Sequence, residues 1–126
     1  MSKQRAKGTA WETALCRYLA GEGFPHVERR ALAGTADRGD LAGIPGWVLE
    51  AKNCKRMDLA GWLDEAAIEQ ANDGAEFSAV WHHRAGRAHP SAGYVTMTGA
   101  TFVRLLQALG YAGPLNGPQS DEQGVA

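Results

Sequence analysis

The stretch that decides the fold is Gly39-Asp40-Leu41-Ala42-Gly43-Ile44-Pro45-Gly46-Trp47-Val48-Leu49-Glu50-Ala51-Lys52. Its two short apolar runs, 40–44 and 46–52, meet at Pro45-Gly46 and read as two strands joined by a tight turn. Residues i and i+2 of a strand share a face, so Glu50 and Lys52 project together and Ala51 points the other way. Asp40 opens the neighbouring strand, and the tight turn can bring its carboxylate close to Glu50. Two carboxylates and a lysine on one patch of sheet are costly unless something compensates them. A hard divalent cation with oxygen ligands, Mg²⁺ or Mn²⁺, would do so. Such an ion generates hydroxide from bound water and stabilises charge on a phosphoryl group. Lys52 could then orient or help deprotonate the attacking water, or offset charge in the transition state. Taken singly, Glu-x-Lys is usually a solvated strand edge, and Asp40 after Gly39 also reads as a turn residue.

Outward from this stretch, the apolar spacing predicts a helix over Thr9–Gly21, with Trp11, Leu15, Tyr18 and Leu19 on one face and Gly21 and Gly23 as the stop. Val27–Leu32 reads as a short strand, and 34–39 is rich in turn residues. After Lys52, Asp58 is a candidate N-cap for a helix to about Asn72, with Leu59, Trp62, Leu63, Ala66 and Ala67 on its apolar side. Phe77–His83 and Tyr94–Thr98 read as strands separated by a loop, and Thr101–Leu109 as a last amphipathic helix ended by Gly110. The order α-β-β-β-α-β-β-α, with a helix long enough for a parallel crossover, predicts one α/β domain over 1–111: a mixed sheet of about five strands flanked by helices. Residues 112–126 read as a flexible tail.

Composition narrows the class. The 126 residues carry 13 Lys+Arg and 14 Asp+Glu, a net charge of −1, which at face value argues against a nucleic-acid partner. The average conceals an asymmetry. Residues 1–56 hold ten Lys/Arg against six acids, a balance of +4, whereas 57–126 hold three against eight, a balance of −5. Such a split hints at a polyanion-binding side, although a solvated face of mixed charge is the commoner cause. No apolar run is long enough for a membrane span and the N-terminus has no secretory h-region. Two cysteines, Cys16 and Cys54, suit thiols in a reducing cytoplasm.

One acid, nine residues, then acid-x-Lys, preceded by a helix carrying Glu12, is a more specific combination than its parts. It resembles the PD-(D/E)xK nuclease superfamily, and within it the small archaeal- and phage-type Holliday junction resolvases. The resemblance covers about residues 5–110. It rests on Arg5-Ala6-Lys7-Gly8 followed by Glu12, on Gly39-Asp40-Leu41 and Glu50-Ala51-Lys52, and on the later helix with Gln70 and the strand 79–83. The superfamily's Pro is absent, Gly39 standing before Asp40, and only Thr35 can stand in for a loop Ser that the family often has. The resemblance implies a restriction-endonuclease-like fold and hydrolysis of DNA phosphodiesters. It also implies Mg²⁺ or Mn²⁺ held by Glu12, Asp40 and Glu50, Lys52 serving the water, and a homodimer that binds four-way junctions. A restriction-like, flap or fork endonuclease on the same fold, or a DNA-binding module without catalysis, are the alternatives.

Several residues carry two readings. Glu12 fits a capping box with Thr9 as well as a metal role. Gln70 reads as a boundary residue bonded to backbone, or as a group near Lys52 that contacts a phosphate. Lys3, Arg5 and Lys7 read as a frayed terminus or, with Arg29, Arg30, Lys55, Arg56 and a weaker contact from Thr35, as a phosphate-binding surface. His82 and His83 are adjacent and face opposite sides of a strand, which disfavours a shared metal. Trp11, Trp62 and Trp81 read as core; Trp47 is either an exposed wedge or part of a dimer interface.

Overall fold

The computed structural model describes residues 3–30 and 39–114. The chain runs α1 (Lys3–Gly21), β1 (Glu28–Arg29), β2 (Leu41–Ala42), β3 (Trp47–Lys52), α2 (Leu59–Asp73), β4 (Phe77–His82), a 3₁₀ turn at Pro90–Ala92, β5 (Tyr94–Thr96) and α3 (Gly99–Ala108). The five strands form one sheet in the order β1-β2-β3-β4-β5. β3 and β4 are parallel across the α2 crossover, in the register Trp47↔Phe77 to Lys52↔His82, and all other pairs are antiparallel. The predicted element order and mixed sheet of an α/β fold are therefore present. The expectations placed on Leu32, Thr35 and the tail beyond 114 lie outside the described residues.

Alternation along the central strands divides the core in two. Leu49 and Ala51 of β3 and Ala79 of β4 join Trp11, Leu15 and Leu19 of α1 in one buried cluster. Val80, on the other side of β4, packs with Trp62 and Ala66 of α2. With α1 on one face of β3–β4 and α2 on the other, both faces of this parallel pair are covered, as parallel strands require. Tryptophan indole N–H groups tie the layers together: Trp11 Nε1 donates to the Trp81 carbonyl at 3.1 Å and Trp81 Nε1 to that of Pro90 at 3.2 Å. Trp47, open in the sequence reading, stacks on Phe77 with ring centroids 4.9 Å apart and packs against the α1-side cluster.

The ends of elements show where local chemistry acted. α1 begins at Lys3, six residues before the apolar spacing starts, because Gly8 costs only about 1 kcal/mol in a helix interior. Thr9 is therefore inside the helix and not its N-cap, which removes the capping-box role for Glu12. α2 starts where Asp58 predicts: its Oδ1 accepts from the Gly61 amide at 3.2 Å. A Cβ on Gly61 would overlap the Asp58 carboxylate, so the cap packs against a bare backbone. The helix stops at Gly74, in the left-handed region at φ 69°. Gly43, at φ 108°, lies so close to His26 that a Cβ there would overlap the His26 carbonyl, which pins the β1–β2 pair. No helix among the described residues is long and apolar enough to cross a membrane.

Candidate functional site

β3 delivers Glu50 and Lys52 to its α2 face, since their flanking neighbours Leu49 and Ala51 belong to the α1-side core. Asp40 enters from the start of β2. Its backbone amide donates to the Leu49 carbonyl at 3.1 Å, and its Oδ2 accepts from the Ala51 amide at 2.8 Å. The carboxylate thus supplies a backbone bond that the short β2–β3 ladder would otherwise lack, which holds it beside Glu50. Three of the four residues singled out in the sequence, Asp40, Glu50 and Lys52, are brought together.

The structure adds two residues to them. Glu65 and Glu69 of α2 lie over the same end of β3, and each of Glu50, Glu65 and Glu69 offers a carboxylate oxygen within 4.8 Å of the others. Lys52 Nζ pairs with Glu65 Oε1 at 2.8 Å. Glu50 is 3% exposed and Glu69 1%, while Glu65 reaches solvent. Glu50 and Glu69 thus place two buried carboxyl groups side by side. Among the described residues, Glu50 Oε2, shielded from solvent, has no hydrogen-bond partner.

These surroundings set the protonation states. Burial, then the negative charges of Asp40, Glu69 and Glu65, push Glu50 up to about 11. Burial alone lowers the Lys52 ammonium. The hydrogen bond and charge of Glu65, with the charges of Glu50 and Asp40, outweigh it and hold Lys52 above its usual value. His82, opposite Lys52 in the β3–β4 register, is buried and pushed down by that burial, with Nε2 2.8 Å from Thr96 Oγ1. A cluster of hard oxygen donors, one of them an orphaned buried atom, fits a divalent cation of the Mg²⁺ or Mn²⁺ type.

Glu12 lies elsewhere. It follows Trp11, which is buried on the α1 face, and its Oε1 accepts from Arg29 Nε at 2.8 Å; an Arg29 Nη2 contact to Thr9 Oγ1 at 3.5 Å completes the arrangement. The sheet stands between α1 and the Glu50–Glu69 pair, so the structure does not bring Glu12 into the set. Gln70 is also placed away from Lys52. Its Nε2 donates to the carbonyls of Ala75 and Glu76 at 3.3 and 3.0 Å, and its Oε1 accepts from Ser78 Oγ at 2.7 Å. Ser78 pairs with Val48, four strand positions from the Lys52↔His82 pair, so Gln70 staples the α2–β4 turn at the far end of the sheet. That matches the backbone-bonded reading and not the phosphate contact.

The basic residues divide in the same way. Arg29 is held by Glu12, and Arg30 by Asp73 at 3.5 Å. By contrast, Lys3, Gln4, Lys7 and Gly8 of α1 and the segment Ala51–Arg56 line a cleft of about 580 Å³. Among the described residues, its wall contains Lys3, Lys7, Lys52, Lys55 and Arg56 and no acid. The chain thus joins two basic segments, some fifty residues apart in sequence, into one cationic groove that begins at Lys52. Arg5 belongs to the same turn of α1 but does not line it, and Thr35 lies outside the described residues.

Glu65 and Glu69 were not singled out by sequence, although a signal for Glu69 existed. It falls seven residues after Trp62 and three after Ala66, on the buried stripe of the helix, where a charge needs a reason. Comparison with known proteins finds no family model that matches the chain, and no curated protein or solved structure significantly similar to it.

Proposed function

We propose that this protein is a divalent-metal-dependent DNA endonuclease, with branched DNA, in particular the four-way junction, as its substrate. The observation that carries the reading is the position of Lys52. It belongs at once to the carboxylate cluster, through Glu65, and to the acid-free cationic groove. A polyanion lying in the groove has its phosphates neutralised by Lys3, Lys7, Lys55 and Arg56, contacts that are independent of base sequence. One phosphodiester then sits beside Lys52, at the mouth of the acidic pocket.

Within this reading each residue has a task. Asp40, fixed by the Ala51 amide, and Glu50 present carboxylate oxygens to a cation. Lys52 places a positive charge where negative charge develops on the phosphoryl oxygens, or orients the attacking water. When bound, the ion would lower the pKa of a coordinated water and polarise the phosphoryl group. The choice of a junction comes from the family resemblance of the Glu50-Ala51-Lys52 and Asp40 motifs. A homodimer follows from the two-fold symmetry of such a junction, which calls for two related active sites.

The test is cleavage of a labelled four-way junction, alongside flap, fork and linear duplex DNA, with Mg²⁺ or Mn²⁺. Incision of the junction by the wild type, lost in Glu50→Ala and in Lys52→Ala with junction binding retained, is the expected result. Preferred cutting of linear duplex would reject the junction specificity. Binding of all four DNAs with no incision by the wild type would reject the enzyme and leave a DNA-binding module.

A further inference from the structure

We infer that the metal ligands come from α2 and not from α1: Glu65 and Glu69, with Glu50, form a divalent-cation site in which Glu65 links the ion to Lys52. This deepens the nuclease reading and rests on it for what the ion does, but the site itself is argued from geometry alone.

Three carboxylates converge within 4.8 Å of one another at the end of β3. Like charges at that separation repel strongly in a buried setting, and a structure keeps them only with a proton, a cation or both. Glu50 Oε2 is buried with no hydrogen-bond partner among the described residues, and buried polar atoms in that state are rare in folded proteins. A cation among the three carboxylates would satisfy that atom and the repulsion together. All-carboxylate donors suit a hard ion of the Mg²⁺ or Mn²⁺ type.

Glu65 differs from the other two because it is exposed and already holds Lys52 at 2.8 Å. A carboxylate has two oxygens and about four acceptor sites, enough to serve an ammonium and a cation at once. Glu65 therefore fixes Lys52 relative to the ion, at the mouth of the groove. Glu12, bound to Arg29 across the sheet, takes no part.

The experiment uses the full chain and Mn²⁺ alone, without DNA. In ¹H–¹⁵N spectra, Mn²⁺ should broaden the amides around Glu50, Glu65 and Glu69 first and leave those around Glu12 sharp. Calorimetric titration should give equal Mn²⁺ affinity for wild type and Glu12→Gln, and a loss of tenfold or more in Glu65→Gln and Glu69→Gln. The broadening pattern needs no variant, so it stands even if Glu69→Gln folds poorly. Broadening centred on Glu12, or none at millimolar Mn²⁺, overturns the inference. Its fate is separable from that of the nuclease. Mn²⁺ at the α2 acids with no DNA cleaved supports the site and sinks the activity. Cleavage that survives Glu65→Gln and Glu69→Gln but not Glu12→Gln sinks the site and keeps the activity.

Discussion

The two faces of β3 solve opposite electrostatic problems with one strand. Toward α1, Leu49 and Ala51 enter an apolar cluster, and the cations at that end of the strand open into a cleft that contains no acid. Toward α2, Glu50 enters a pocket where Glu65 and Glu69 are its nearest charged company besides Lys52 and Asp40. Lys52 belongs to both. The contrast teaches that the overall charge of −1 is uninformative here, because it averages an acidic pocket and a cationic groove that meet at one end of a single strand.

The sharpest way to break the comparison is to remove its hinge. Lys52→Ala should reduce junction cleavage by roughly a thousandfold or more, the scale of losing a charge that acts on the transition state, while leaving DNA affinity within a few fold. Gel-based single-turnover rates read the first and filter binding the second. Loss of both in proportion would show Lys52 to be only a groove cation.

Reversing the groove comes next. Lys55→Glu and Arg56→Glu together should weaken DNA binding by about tenfold or more at physiological salt and flatten the salt dependence of the affinity. Fluorescence anisotropy across a salt series checks this. An unchanged slope would move the DNA-binding face elsewhere.

The acidic side makes a prediction about pH. The folded protein without metal keeps a proton on Glu50 up to about pH 11, whereas the unfolded chain releases it near 4.5. The folded state therefore binds more protons between those values, and stability falls as pH rises through them. Glu50→Gln, which stays neutral, should raise the melting temperature at pH 8 by about 5 °C or more and flatten its decline with pH. Excess Mn²⁺ should raise the wild-type value in the same pH range. A thermal melt series from pH 5 to 9 with a chelator, then with Mn²⁺, measures both.

The smallest effect belongs to the α1 face. Arg29 is about half exposed, so the Glu12–Arg29 pair contributes at most ~1 kcal/mol, and Glu12→Gln should shift stability by no more than that. Denaturant melts are the check. A Glu12→Gln variant with abolished cleavage at normal stability would place Glu12 back among the reacting groups.

Much of this was legible in the chain itself. Periodicity and turn residues located every element of the sheet, because Pro45-Gly46, Asp58 and the glycines act locally. The pairing of Asp40 with Glu50 was also readable, since a tight turn leaves little freedom. Glu12 is kept apart from Glu50 for a physical reason: which side of a sheet a helix covers is decided by the whole core, here by Trp11 and Leu15 against Ala51 and Ala79. Gln70 was ambiguous until the α2–β4 turn supplied three partners for its amide. Glu69 hid within an apolar stripe that Trp62 and Ala66 defined, and the groove required two segments distant in sequence to meet.

The clamps on α2 have a consequence for insertions and deletions. Asp58 against the bare backbone of Gly61 fixes where the helix begins, and Gly74 with the Gln70 staple fixes where it ends. The rotational phase of Glu65 and Glu69 is thus inherited from two turns, neither of which touches the pocket. One residue added inside the helix between Gly61 and Glu65 would swing both carboxylates by about 100° about the helix axis, out of reach of Glu50. A residue added in 53–57, before the cap, would be absorbed by the loop. The chemistry of this face is therefore protected against length changes at its border but not in its first turn, an asymmetry that variation in chain length can expose directly.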